Sequence, residues 1–358
     1  MAACYTAARL LASVREKLAM VAGAAAMGEA TGGGPVGEAD MLRRMYREMR
    51  LTRLFDERMI QLNRAGKVPL SVSCQGHEAA QIGAAFAFDL AHDWFLPYYR
   101  DWAVCLHAGM TIRDFMLNLF AKPGDPNSGG RQMASHFGSR RLRIVTQSSP
   151  LTTQFPHATG IAYAAKLRGE PSVCYASCGE GSTSQGDFHE GLNFAAIHRL
   201  PVVFFVQNNG IAISVPQAKQ MAVQQVADRA AAYGMPGVQV DGGDVLATYE
   251  VTRAAVERAR RGDGPSLVEA SCARFQPHSG DDDDRYRSAE EVAALRRNDP
   301  VARFRRELIA RGLLDDAADM ALTRELRAEI DEATRYAEAA LDADPATLGD
   351  HVFASSTN

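Results

Sequence analysis

No run of apolar residues in this chain approaches the ~20 that a membrane-crossing helix needs, so no membrane partner is expected. Charge of one sign is also not in excess. Lys and Arg number 39 against 43 Asp and Glu, a net charge of −4, which argues against a nucleic-acid or membrane-surface partner. Cysteine is sparse: six residues without regular spacing fit reduced thiols in a cytoplasm-like compartment. Cys174 and Cys178 lie along one apolar strand and its end, which reads as core packing rather than a metal site. No Gly-x-Gly-x-x-Gly opens a helix after a strand with an acidic residue downstream, which leaves a dinucleotide-binding oxidoreductase without its fingerprint. What remains is ample for a core. With 358 residues, 46% hydrophobic and 23% charged, the chain reads as globular, with one large α/β domain or two smaller ones.

The central stretch runs from Val173 to Ser214. A short apolar run ends in Gly179-Glu180-Gly181, an amphipathic segment follows, and a second apolar run, Pro201 to Val206, ends in Asn208-Asn209. Two β-rich runs joined by a helix-length crossover predict a βαβ unit with parallel strands. A right-handed crossover opens both carboxyl ends onto one crevice. Glu180 and Asn209 then reach one point. A carboxylate, an amide oxygen and a backbone carbonyl are hard ligands suited to magnesium, which usually takes one or two carboxylates plus phosphate oxygens. Gly179 and Gly181 let the backbone approach a phosphate, and the start of the next helix offers it unpaired N–H groups. The alternative is a strand-end turn with a capping carboxylate.

Residues 1–39 are alanine-rich, carry a few bases and end in a glycine run, as in a linker or flexible extension. They faintly resemble an organellar presequence, which would place the protein in the mitochondrial matrix; Glu16, Glu29 and few serines favour a bacterial extension or an early start before Met27, hence a cytoplasmic protein. From Asp40, a plausible N-cap, Met41, Met45, Met49, Leu51, Phe55, Met59 and Leu62 recur at helical spacing and predict a core-facing helix. His77 and Glu78 precede an alanine-rich helix over Ala79 to Phe86 and suit capping better than catalysis. Tyr99 and Arg100 can pair with a phosphate, since the guanidinium fork fits its oxygens; a surface ion pair of Arg100 with Asp101 or Asp93 is the alternative. Residues 122–138 form a glycine-rich loop in which His136 can line a substrate pocket. Ser148 to Gln154 cluster oxygen donors ahead of a helix from Gln154 to Lys166, or Ser149-Pro150 caps that helix. A strand at Val238 to Val240, a turn at Asp241 to Asp244, a helix over Val245 to Arg261 and a strand at Ser266 to Ala270 complete a β/α alternation. Arg274 to Arg287 is a polar loop whose four aspartates read as a solvated face. After Asn298, Val301, Phe304, Leu308, Leu313, Leu322, Leu326, Ile330, Ala333, Ala337 and Leu341 recur at helical spacing, broken at Gly312 and Asp344-Pro345, and read as packing and subunit interface.

Gly-Glu-Gly followed after about thirty residues by Asn-Asn resembles the thiamine diphosphate motif. The surrounding GEG-x₃-QGDFHEGLNFAA and NNGIAIS are similar to its 2-oxo acid dehydrogenase branch. GRQMASHFG (Gly130 to Gly138), SSPLTTQ (Ser148 to Gln154) and PHSGDDDDRYRS (Pro277 to Ser288) resemble the branched-chain 2-oxoacid dehydrogenase α subunits, over about residues 41 to 345. The resemblance implies an α/β thiamine diphosphate-binding fold, a parallel sheet flanked by helices with helical N- and C-terminal segments, over residues 40–345, with 346–358 as a tail. It implies thiamine diphosphate and Mg2+ as cofactors, with magnesium on Glu180, Asn209 and the Ile211 carbonyl. Tyr99, Arg100, Ser149, Leu151, Gly179, Gly181, Ser182, Gln207 and His278 would contact the cofactor. Ser148, Pro150, Thr153 and Gln154 would ring a K+ ion. His278 would sit near the reacting carbon and trade protons during acyl transfer, and Ser279 matches the serine phosphorylated in animal members. Gln207 stands where relatives carry an arginine, and a neutral amide is a weaker donor to an anion. The implied activity is oxidative decarboxylation of branched-chain 2-oxo acids with acylation of a lipoyl arm (EC 1.2.4.4). The implied partners are a β subunit in an α₂β₂ heterotetramer and a lipoyl-bearing dihydrolipoyl acyltransferase core. A pyruvate or acetoin dehydrogenase α subunit is the rival reading, and a non-catalytic assembly subunit another.

Overall fold

The structure, a computed structural model, describes residues 37–350 and 352–353; the expectations for residues 1–36 and the last five residues of the tail lie outside the described residues. The chain divides into two units at Met41/Leu42, and the second is described below.

Helix α1 (Glu38–Arg64) buries Met45, Met49, Phe55 and Met59 completely, so the methionine stripe is core, as helical spacing demands. It begins two residues ahead of Asp40, which therefore lies in the first turn rather than capping it. α2 (Glu78–Ala85) follows, then a strand that the sequence did not announce, β1 (Trp94–Leu96), hidden because three residues show no alternation. α3 (Trp102–His107) and α4 (Ile112–Leu119) lead into the glycine-rich segment 122–138, which holds neither helix nor strand. α5 (Gln154–Arg168), β2 (Cys174–Gly179), a 3₁₀ turn (Glu180–Ser184), α6 (Gly186–Ile197) and β3 (Val202–Asn208) form the expected βαβ unit. A two-residue hairpin, β4 (Ile211–Ala212) with β5 (Val215–Pro216), and the single turn α7 (Gln217–Gln220) come next. β6 (Gly237–Asp241), α8 (Val245–Arg260) and β7 (Ser266–Ser271) finish the sheet. The C-terminal helices are α9 (Ala289–Arg296), α10 (Pro300–Ala310) and α11 (Asp316–Ala339).

The sheet is parallel throughout, in the order β1-β2-β3-β7-β6. All seven residues of β3 are buried, which is why the strands read as unbroken apolar runs. Alternate residues feed two cores. Phe95, Tyr175, Val203, Phe205 and Val268 face α1, α4, α8 and α11, while Cys174, Ala176, Cys178, Phe204 and Val206 face α5 and α6. The two cysteines are core residues, as expected. Val301, Phe304, Leu308, Leu326, Ile330, Ala333 and Ala337 are buried. Leu341 is not: it follows the end of α11 and is 85% exposed, so the stripe stops at the helix end. In the register of β2 and β3, Gly179 pairs with Gln207, and the two strands deliver Glu180 and Asn209 to the same edge.

Candidate active site

Glu180 and Asn209 meet at that edge. The Asn209 backbone N–H donates to Glu180 Oε2 at 3.2 Å. Glu180 is 1% exposed, and both its Oε1 and Asn209 Oδ1 are buried with no hydrogen-bond partner. Burial pushes the Glu180 carboxyl up, opposed by nearby N–H groups and by Arg274 and Arg100. Two buried oxygen atoms without partners, one of them on a carboxylate that burial destabilises, on residues joined by the Asn209 N–H bond, are groups that a hard cation could satisfy. Among the described residues no group of three or more His, Cys, Asp or Glu is placed to hold a metal. Gly181 is required: a Cβ there would lie 2.6 Å from the Ala212 Cβ, because β4, which carries Ile211, runs against this turn.

His77 belongs to this cluster, and the capping reading is corrected. It occupies the N-cap position of α2 but makes no capping bond. Its Nε2 lies 3.4 Å from Asn209 Nδ2, and its Nδ1 is buried without a partner. Burial, with Arg100 and Arg274 nearby, pushes its pKa well below the usual histidine value. Glu78 accepts instead from the Gly76 N–H at 2.8 Å and pairs with Arg53 at 2.6 Å.

Arg100 is not a surface residue. It is 2% exposed, donates to the carbonyls of Ser73 and His278, and lies over the Tyr99 ring. Asp93 pairs with Arg260 instead, at 2.7 Å. Asp101 is buried, accepting from the Ser177 hydroxyl, from the Tyr98 N–H at 3.3 Å and from Gln207 Nε2 at 2.5 Å. Burial outweighs these donors and pushes its pKa up to about 7. Gln207 Oε1 accepts from Gln81 Nε2 at 3.0 Å and from the Tyr98 hydroxyl at 3.3 Å. Both ends of the Gln207 amide are therefore hydrogen-bonded within the fold, and its strand position is level with Gly179.

The segment Ser148 to Gln154 gathers oxygens. The Ser148 hydroxyl meets that of Thr153, and both reach the Pro150 carbonyl, at 3.0 and 3.3 Å. Gln154 turns its Nε2 to the Ser177 carbonyl at 2.6 Å. Thr153, not Ser149, holds the N-cap position of α5 and makes no side-chain cap bond, so Ser149-Pro150 is not the cap. Ser149 instead bonds His136 Nε2 at 2.7 Å, which joins the glycine-rich loop to this segment. Leu151 is half-buried and Ser182 buried.

Two of the four aspartates that read as a solvated face, Asp281 and Asp283, are exposed, and the other two order the polar loop after β7. Asp282 accepts from the His278 N–H at 2.9 Å and from the Tyr286 hydroxyl, and Asp284 holds Arg287 in a two-point pair at 2.8 and 2.6 Å. Only Asp283 makes an exposed pair, with Arg285. His278 packs edge-on to Tyr99, with ring centroids 6.0 Å apart. Burial and the charges of Arg100 and Arg274 lower its pKa to about 4, so the ring is neutral at physiological pH. Arg274, 1% exposed with an unpartnered Nε, is a cationic neighbour that sequence reasoning missed, because an arginine inside a polar loop carries no local signal.

A family model described as "Dehydrogenase E1 component" matches residues 46–346. The chain is 53% identical over 311 residues to a Bacillus subtilis protein named 2-oxoisovalerate dehydrogenase subunit alpha, covering 87% of this chain and 94% of that one. It is 41% identical over 303 residues to a Mycobacterium tuberculosis 3-methyl-2-oxobutanoate dehydrogenase subunit alpha, covering 82% and 78%. A Staphylococcus aureus pyruvate dehydrogenase E1 component subunit alpha is 36% identical over 301 residues, covering 84% and 78%.

Proposed function

Since the chain belongs to the dehydrogenase E1 component family, we propose that it is the α subunit of a branched-chain 2-oxo acid dehydrogenase. It would decarboxylate 2-oxoisovalerate and its relatives and pass the acyl group to a lipoyl arm. The observation that carries this is the pair of buried, unpartnered oxygens, Glu180 Oε1 and Asn209 Oδ1, at the ends of neighbouring parallel strands. The higher identity to the 2-oxoisovalerate relative than to the pyruvate one favours the branched substrate.

The residues fit a magnesium–diphosphate group. Glu180, Asn209 and the Ile211 carbonyl would hold Mg2+. Arg100, with Tyr99, Ser149, Leu151, Ser182 and the backbone of Gly179 and Gly181, would hold thiamine diphosphate. The chemistry supplied by bound thiamine diphosphate is a nucleophilic carbon for the keto group and a sink for the electrons left by carbon dioxide. Arg100 with Arg274 supplies the cationic charge. His278, neutral and wedged against Tyr99, presents a ring nitrogen that can donate or accept a hydrogen bond without adding charge. The diphosphate would offset the two arginines, raise the His278 pKa and make it a better proton acceptor. The clustered oxygens of Ser148, Pro150 and Thr153 support a K+ site beside Ser149, with Gln154 as a fourth member.

The partners proposed are a β subunit in an α₂β₂ assembly and a lipoyl-bearing acyltransferase core. Co-expression with the β subunit, followed by lipoamide-dependent turnover on a series of 2-oxo acids, tests the reading. The expected result is a higher kcat/KM for 2-oxoisovalerate than for pyruvate. Preference for pyruvate would replace the substrate assignment, and turnover by the α chain alone would remove the partner.

A further inference from the structure

The segment 211–224, between the second metal-ligating turn and the next 3₁₀ helix (Val226–Tyr233), is tied to both halves of the site. Gln217 and Gln220 lie three apart on α7 and so point the same way. Gln220 Nε2 donates to the Glu180 carbonyl at 2.6 Å and to the Ser184 hydroxyl at 3.2 Å, spanning the first and last residues of the 3₁₀ turn that carries Glu180. Gln217 Oε1 accepts from Asn208 Nδ2 at 2.8 Å, and the Gln217 N–H donates to the Gly210 carbonyl at 2.9 Å. These two bonds bracket Asn209. Gln217 Nε2 closes the segment on itself through the Gln224 carbonyl at 2.6 Å. Two further ties fix it in place: Arg274 donates to the Ile213 carbonyl at 2.9 Å, and Ala212 packs where only glycine fits at 181.

The β2–β3 ladder sets the strand ends as far as the Gly179–Gln207 pair. Beyond it, among the described residues, the turns are joined directly by the Asn209 N–H to Glu180 Oε2 bond at 3.2 Å, and a metal would compete for that same carboxylate. The strap supplies the spacing that this link would lose. Glutamine suits the task because one amide offers two N–H groups to the Glu180 turn without placing a second charge beside the carboxylate. The Gln220 Oε1 is buried with no partner, so only the two donated bonds orient this amide.

We propose that Gln220, supported by Gln217, is a positioning residue for the divalent cation: the 211–224 strap holds the Glu180 and Asn209 turns at the spacing the metal needs. The inference rests on the magnesium reading of the site above. Groups that orient metal ligands typically alter metal affinity 10–100-fold when changed.

The test uses the α chain co-expressed with its β subunit, with Mg2+ titrated at fixed thiamine diphosphate and binding read calorimetrically. Gln220→Glu keeps the side-chain volume but removes both donors and faces the Glu180 carbonyl with an acceptor. It is expected to raise the half-saturating Mg2+ at least about tenfold, with a much smaller fall in kcat at saturating Mg2+ and the same metal-free melting temperature. An unchanged half-saturation in the variant, with wild type binding normally, overturns the positioning role. Absence of Mg2+-dependent binding in wild type overturns the site reading itself, so the two failures are distinct. Should Gln220→Glu lower the metal-free melting temperature, Gln217→Glu and Gln217→Leu are decisive instead. The first loses the Gln224 tie that closes the strap, and the second also loses the Asn208 bond. A metal half-saturation within twofold of wild type in both would overturn the strap, and a rise in Gln217→Leu would support it.

Discussion

Glu180 is a carboxylate whose burial favours its neutral form and whose Oε1 has no partner. Without a cation its charge costs stability; with one, the same charge is the main attraction. Under the proposed magnesium site, Glu180→Gln is expected to leave the cofactor-free melting temperature equal or raised and to abolish the rise expected in wild type on adding thiamine diphosphate and Mg2+. A lowered cofactor-free melting temperature with the rise intact would contradict the assignment. His278 makes a separate prediction. Its pKa falls from an ordinary 6.5 to about 4, so the fold prefers the neutral ring. That preference contributes stability in full above pH 6.5, and the contribution is lost as pH falls from 6.5 toward about 4. His77 acts in the same direction. Asp101, raised from 3.8 to about 7, has the opposite sign: its contribution is complete below 3.8 and lost as pH rises through about 7. His278→Asn is accordingly expected to lose less stability than wild type between pH 7 and pH 5, read from denaturant midpoints at each pH.

At the scale of elements, α2 owes its place to small residues. Every residue of α2 is buried, and a Cβ at Gly83 would lie 2.5 Å from the Val245 carbonyl and 2.8 Å from Thr248 Cβ on α8. Backbone cannot yield as a flexible side chain does, so the two helices would have to part. Alanine is a better helix former than glycine by ~1 kcal/mol, but overpacking costs typically 1–3 kcal/mol, and here the clash wins. Gly83→Ala should destabilise by about 1–2 kcal/mol in chemical denaturation. Because α2 begins beside His77, the change should also weaken cofactor binding. The loop before α2 shows the same dependence on packing: Asp56 on α1, buried under it, accepts from Ser73 at 2.8 Å, the Cys74 N–H at 2.7 Å and Gln75 at 3.0 Å, and the Ser73 carbonyl in turn holds Arg100.

At the scale of the whole described molecule, α11 is tied to α1 and α4 in two ways. Arg47 pairs with Glu325 and Glu329, Arg58 with Asp331, Lys67 with Glu338 and Arg113 with Glu332. These pairs are largely exposed, and such pairs contribute about 0–1 kcal/mol each and weaken in salt. Beneath them lies the apolar seam of Leu326, Ile330, Ala333 and Ala337. Truncating one such buried residue costs 2–5 kcal/mol, so the seam decides. Ile330→Ala should lower stability by about 2–4 kcal/mol and Arg47→Ala by under ~1 kcal/mol. Raising the salt to 1 M should erase the second difference and leave the first, as thermal melts at both salt concentrations would show.

What the sequence determined by itself was local and repetitive. The helical stripe from Met45 to Leu62, the βαβ unit around Gly179-Glu180-Gly181 and Asn208-Asn209, and the parallel sheet all follow from periodicity and strand-end motifs that neighbouring residues express together. Its Glu180–Asn209 convergence needed only that two parallel strands share an edge. Tertiary structure decided what no local pattern holds. Gln207 bonds Asp101 and Gln81 across the sheet, Arg100 is buried rather than surface-paired, and Asp282 and Asp284 hold a loop while Asp281 and Asp283 face water. His77 leaves its helix uncapped to meet Asn209, and two glutamines of one short turn reach both the Glu180 and the Asn209 turns. The physical reason is common to all five. Each depends on which distant hydrogen-bonding group a polar side chain meets once burial has removed water as a partner, and that choice is made across the sheet, not along the chain.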